Sequence, residues 1–290
     1  MRIAFHLGAH ATDDGNAIRS LLKNTDLLLS RDVIVPRPVQ FRERMGAMMR
    51  QHRVSPASLN AQREFLASLT RRTHLSGVVF SSPAFLCAAP RIFADTAFYG
   101  RAGLRAKWLR NIFPQAECEF FLAVRNPVTF LPGVLRTQPG LTAAGLMGGA
   151  RPDNMHWSRV VSDIRNAVPD CPLTVWCDEE RPVLWPRILR ALAEIEEETP
   201  IDGALDEIEP LLDAAAFGQL TQDLADAPRD TDALVTFLAH YLEEHAHEDA
   251  LDQAVDLPGL TSDALERLDD QYEADLARIE AMPGVKFLGV

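Results

Sequence analysis

Nowhere does this chain carry the roughly 18 to 20 uninterrupted apolar residues of a membrane span, and its opening, MRIAFHLGAH, is too short for a signal peptide. A cytoplasmic protein with no membrane partner is the expectation. Cysteine is scarce: Cys87, Cys118, Cys171 and Cys177 form no C-x-x-C pair and no metal spacing, and sit mostly in apolar runs, as buried thiols of a reducing compartment do. Basic residues interleaved with aromatics are missing and the overall charge is acidic, which argues against nucleic acid as the main partner. No repeat and no low-complexity segment occurs.

The chain has 290 residues that are 47% hydrophobic, enough to bury a sizeable core. Its net charge of -12 is unevenly laid down. Residues 1–177 hold 22 Lys+Arg against 12 Asp+Glu, whereas residues 178–290 hold 7 against 29. The basic excess of the first part reads either as solvated surface or as an anion site.

Short β-rich runs at Arg2–Leu7, Gly77–Phe80, Glu119–Val124 and Leu173–Cys177 are separated by helix-length segments. Ala17–Lys23, Ser58–Arg72, Gly103–Ile112 and Arg187–Glu198 have helical character, the last with Pro182 and Pro186 flanking its start. This alternation predicts an α/β fold, a doubly wound parallel sheet in one domain over 1–290. From Pro200 to about Pro258 the composition turns to Asp, Glu, Ala and Leu without a convincing strand, which predicts a mostly helical acidic insertion. Ser262 sits ahead of a helix that bears Glu266 and runs towards Met282, and Pro283-Gly284 precedes a last apolar run, Val285–Leu288.

The first turn, Gly8-Ala9-His10-Ala11-Thr12-Asp13-Asp14-Gly15-Asn16, lies where a strand-to-helix loop cradles phosphate with backbone N–H groups and a helix dipole. A conventional nucleotide-binding P-loop is excluded, because Asp13 stands where its second Gly should be and no Lys follows. Further along, Phe120–Val124 runs into Arg125-Asn126-Pro127.

Taken together, Gly8, Thr12, Leu21, Asn24, Val33 and Pro36 at their spacings, Phe113-Pro114, and the Arg125-Asn126-Pro127 element resemble the bacterial sulfotransferase family. Leu173–Cys177 followed by Asp178-Glu179-Glu180, and a late helix with Tyr272 and Asp275, resemble its later elements more loosely. The resemblance covers most of the chain outside residues 200–258. It implies a P-loop-like fold and a donor, 3′-phosphoadenylyl sulfate (PAPS), with adenosine 3′,5′-bisphosphate (PAP) as product. It further implies Gly8, Thr12, Gly15, Asn16 and Arg125 as donor-binding residues, with Arg125 on the 3′-phosphate. Ser81 and Ser82, after the second β-rich run, fall where the family often binds its acceptor.

Three departures weaken the implied donor site. Ala11 replaces the loop Lys that the family sets on the 5′-phosphosulfate, Asp13-Asp14-Gly15 replaces Gly-Thr-Thr, and Gly133 replaces a Ser on the 3′-phosphate. Even water-screened like charges ~4 Å apart repel by about 1 kcal/mol, so the two aspartates oppose a dianion. His10, at the mouth of the loop, is the candidate general base for an acceptor hydroxyl. His74 is a candidate of similar standing. Arg42, Arg44, Arg50, Arg53, Arg63, Arg71 and Arg72 form a basic run, read either as a solvated face or as a reception for an anionic acceptor. His240, Glu243, Glu244, His245, His247 and Glu248 match no metal motif, and no metal is expected.

Two functions stay open on the sequence. One is a sulfuryl transfer from PAPS to a hydroxyl or amine of a small anionic or hydroxyl-bearing substrate. The other is a catalytically inactive relative that binds a small anion or a protein partner.

Overall fold

Every residue of β1 (Arg2–His6) is buried, because strands flank it on both sides and helices cover it on both faces. In the computed structural model, which describes residues 1–224, 231–247 and 261–290, β1 pairs in parallel with β3 (Gly77–Ser81) and with β4 (Glu117–Val124). β2 (Val33–Ile34) extends the sheet beyond β3, and β5 (Leu173–Cys177) and β6 (Val285–Leu288) extend it beyond β4. The six strands run in the order β2-β3-β1-β4-β5-β6, all parallel. This is the α/β architecture expected of near-continuous apolar strands separated by helices. The strand β2 is too short for an apolar period to reveal it.

Alternation along β1 sends Ile3 and Phe5 to one face and Ala4 and His6 to the other. The first face carries α3 (Pro38–Gln51), α4 (Leu59–Ala67), α5 (Ala102–Ile112), α6 (Pro127–Arg136) and α8 (Trp157–Ala167) over an aromatic layer. Within that layer the Phe5 ring lies 5.4 Å from Phe120 and 5.8 Å from Phe80, each at 20°. A short helix α7 (Ala143–Met147) and the long α12 (Ser262–Glu280) complete this side. The second face carries α1 (Asn16–Lys23), α2 (Thr25–Ser30), α9 (Arg181–Ala193), α10 (Ala214–Asp223) and α11 (Thr231–His245).

Two helix starts differ from the sequence reading. The helix expected over Arg187–Glu198 begins at Arg181 and ends at Ala193, with Glu194 in a left-handed conformation at φ 55°. Pro182 fits because the first helical turn has no use for its missing N–H, and Pro186 sits inside the helix. At the start of α12 the cap is Thr261, whose hydroxyl accepts the Ala264 N–H, and not Ser262.

Within the acidic stretch, α10 and α11 are helical as expected, and residues 225–230 and 248–258 lie outside the described residues. Its apolar side is core: Ile208, Leu220, Val235 and Leu238 are buried with Trp185 and Ile188 of α9. None of the described helices is long and apolar enough to cross a membrane.

Candidate functional site

Past His6, the ladder with β4 continues into the loop: Leu7 N–H donates to Phe121 O, Ala9 N–H to Ala123 O, and Ala123 N–H to Gly8 O. Gly8 has φ 89°, and a Cβ there would meet Pro83 at 3.0 Å, so the chain can turn here only as glycine. Ala11, Asp14 and Gly15 also take positive φ, which winds residues 8–15 into a tight loop ahead of α1.

The buried loop side chains that would face an anion already have partners. The Asp13 carboxylate accepts the Ala17 N–H at 3.0 Å, so a side chain of the protein fills the positive end of α1. Thr12 donates its hydroxyl to Ala9 O at 2.9 Å. Asn16 donates its amide to Glu207. Asp14, by contrast, is exposed, so only one of the two loop carboxylates stands in the cradle.

Arg125, immediately after β4, reaches the same loop. Its Nη1 donates to Ala11 O and lies 3.7 Å from Asp178, while its Nε donates to Thr129 Oγ1 at 3.0 Å. Gly133 of α6 makes this approach feasible, since a Cβ there would sit 3.0 Å from that of Ala11 and 3.5 Å from the guanidinium. Trp157 fixes the Arg125 backbone by donating Nε1–H to its carbonyl at 2.7 Å.

Asp178 links Arg125 to Arg181, which binds it at 2.8 Å and holds Glu207 at 3.1 Å. Three carboxylates, Asp13, Asp178 and Glu207, thus surround two guanidinia at the carboxyl ends of β1, β4 and β5. Burial pushes the Asp178 carboxyl up to about 7, against the pull of Arg181 and Arg125 and with help from Glu179 and Asp13. For Arg181 burial works against the charge, but Asp178, Glu207 and Asp13 outweigh it and raise the pKa.

The raised Asp178 pKa has a measurable sign. Between pH 4 and 7 the folded chain keeps a proton that the unfolded chain releases, so this group's stabilisation is complete below about pH 4 and is lost as pH rises through 7. Asp178→Asn is expected to flatten the fall in urea midpoint between pH 5 and pH 8. The site's steepest contribution is about 1.4 kcal/mol per pH unit. Equal slopes in the two proteins would contradict the assignment.

No protein-family model matches the chain, and no curated protein does. Among solved structures it is similar to the sulfotransferase from Alicyclobacillus acidocaldarius, at 12% identity over 86% of this chain and 98% of that one, with a TM-score of 0.43. A likeness of this degree says nothing about ligand or reaction, which must come from the site itself.

The sequence candidates fall in two groups. Gly8, His10, Thr12, Gly15, Asn16 and Arg125 come together in and beside the loop. His10 is buried, stacked on Tyr99 and bonded through Nδ1 to the Tyr99 hydroxyl at 2.6 Å. Burial holds its pKa down to about 4, partly offset by the Cys87 backbone, so it is neutral at pH 7 and offers no cation to a phosphate.

Ser81 ends β3 and Ser82 follows it, and each hydroxyl has a partner within the protein. Ser81 Oγ lies 2.8 Å from His6 Nδ1, and Ser82 Oγ accepts the Ala84 N–H in a capping bond. His74 lies away from the loop, 3.3 Å from Asp32. Asn126 caps α6 through Val128 N–H, so part of the Arg-Asn-Pro element serves the helix start. Among the described residues no group of three His, Cys, Asp or Glu is placed to hold a metal ion, and Glu248 lies outside them.

Sequence reasoning missed Asp178, Arg181, Glu207 and Tyr99 as parts of this constellation. Asp178 had a signal, a carboxylate directly after an apolar strand. Glu207 had none, being one acid among many in its segment.

Proposed function

We propose that this protein is a sulfotransferase-fold protein that binds a small anion without using its first loop as a PAPS cradle. One observation carries the reading: the Asp13 carboxylate occupies the start of α1 while Arg125 is committed to Ala11 O and Asp178, all with side chains buried by the protein itself. A donor phosphate would have to displace a carboxylate from the helix terminus and strip a guanidinium from a buried partner. Each exchange is unfavourable where water cannot compensate it. We place the protein in the cytoplasm, in keeping with its four free thiols.

The catalytic alternative, sulfuryl transfer from PAPS to a hydroxyl or amine, draws support from His10. A neutral imidazole beside the loop is in the protonation state that a general base needs. Without a loop cation, however, the charge developing on the bridging oxygen has no stabiliser at Ala11.

Calorimetric titration with PAP separates the two. We expect no saturable heat up to ~1 mM, equivalent to less than about 4 kcal/mol of binding. Micromolar binding that disappears in Arg125→Met would restore the donor site and overturn the reading.

A further inference from the structure

Beyond Tyr99, the turn after β3 and the first half of α5 enclose a cavity of about 170 Å³, walled by Cys87, Tyr99, Arg91, Arg101, Arg105 and Trp108. Arg101, Arg105 and Trp108 are four and three residues apart, which puts them on one side of α5. From the end of α3, Arg53 places its guanidinium 5.1 Å from the Trp108 ring centre, and Arg105 places its own at 5.3 Å. Two cations thus share one indole. Arg105 is anchored by bonds to Phe85 O at 2.8 Å and Ala84 O at 3.3 Å. Burial lowers its pKa, Cys87 opposes this, and nearby Arg50 and Arg53 lower it further, so like charges are close enough to interact.

Counter-charge is what distinguishes this place from the loop. There, two guanidinia face three carboxylates. Here, five arginines gather, and among the described residues the carboxylate paired with any of them is Asp95, 3.2 Å from the exposed Arg101. An excess of like charge around a concave, partly apolar wall raises the local concentration of anions. Roughly six water volumes fit the cavity at about 30 Å³ each, enough for an oxyanion and one ring.

We propose that this cavity binds a small organic sulfate or phosphate monoester, its oxyanion held by Arg91, Arg101 and Arg105 and its organic part against Trp108 and Leu86. The proposal deepens the anion-binding reading given above but rests on residues separate from the loop. The inner wall, Tyr99, carries the hydroxyl bonded to His10, so a ligand here abuts the loop without entering it.

The test is calorimetric titration of the full chain, at about pH 5.5 so that the phenol keeps its proton, with p-nitrophenyl sulfate, p-nitrophenyl phosphate and neutral p-nitrophenol. At least one ester is expected to bind about tenfold or more tighter than the phenol, and the tighter ester identifies the oxyanion. The double variant Arg91→Ala/Arg101→Ala removes two exposed side chains and should weaken ester binding about tenfold while leaving the phenol unchanged. Should that variant not fold, Arg53→Ala is expected to weaken ester binding about threefold through the lost charge beside Trp108. Esters that bind no tighter than the phenol, or that bind the arginine variants as they bind the parent, sink the proposal. If the arginine variants leave ester binding intact while PAP still fails to bind, only the cavity assignment fails. Ester binding abolished by Arg125→Met would instead place the anion in the loop and overturn both readings.

Discussion

Arg125→Met should lower the unfolding free energy by about 3 kcal/mol, measured by urea denaturation at pH 8. Removing one partner of a buried ion pair typically costs 3 to 5 kcal/mol, since the remaining charge keeps its desolvation penalty. The lower end applies because Asp178 retains Arg181 at 2.8 Å, and because its carboxyl, already raised to about 7, can take up a proton. The lost bonds to Ala11 O and Thr129 Oγ1 add to the loss. In the double variant Arg125→Met/Asp178→Asn the two effects should not add, with a coupling of at least ~1 kcal/mol. A guanidinium held in reserve for a ligand phosphate predicts otherwise: its loss would leave the stability of the free protein nearly unchanged.

Trp157→Ala should cost about 4 kcal/mol, within the range for truncating a large buried aromatic. The indole is fully buried, with ring centres 4.7 Å from Phe98, 5.5 Å from Phe130 and 5.6 Å from Tyr99. Its removal leaves a cavity and also takes the Trp157 N–H donor from the Arg125 carbonyl. Trp157→Phe isolates the second effect, because it keeps most of the volume and loses the bond, and should cost about 1.5 kcal/mol. If the two variants were equally destabilised, the hydrogen bond would outweigh the packing. Both should alter Arg125, so ester binding in the arginine cavity, which Trp157 does not line, is expected to persist in the Phe variant.

Much of the architecture could be read from the chain because buried parallel strands are written locally. Arg2–Leu7, Glu119–Val124 and Leu173–Cys177 are apolar runs between turn signals, and each is a strand of the sheet. Their order in the sheet is not local information. Nor was the strand Val33–Ile34, which is two residues long and takes its place from pairing with Gly77 and Val78. In the site, the nearness of Arg125 to the first loop was legible from their common position after parallel strands. What occupies the cradle was not. Asp13 reads in sequence as a charge opposing a phosphate, whereas in the fold it satisfies a backbone donor of α1. The arginine cavity was half visible, since Arg50 and Arg53 belong to a basic run, but only the packing of α3 against α5 brings them to Arg105 and Trp108.

The central place of β1 also sets a problem of timing during synthesis. Ile3 pairs with Val78 on one side and with Cys118 on the other, so β1 cannot acquire its second neighbour until the segment around Cys118 has left the ribosome. At ordinary elongation rates of 5 to 20 residues per second that wait is on the order of 10 s, far longer than a hydrophobic collapse. Throughout it, Ile3, Phe5 and Leu7 offer an apolar strand with an open hydrogen-bonding edge to any other nascent copy. The sheet's last pairing, Val285 beside Leu173, waits longer still, until β6 has been made. Expression of this protein should therefore be sensitive to translation rate and to chaperone supply even where its finished fold is stable.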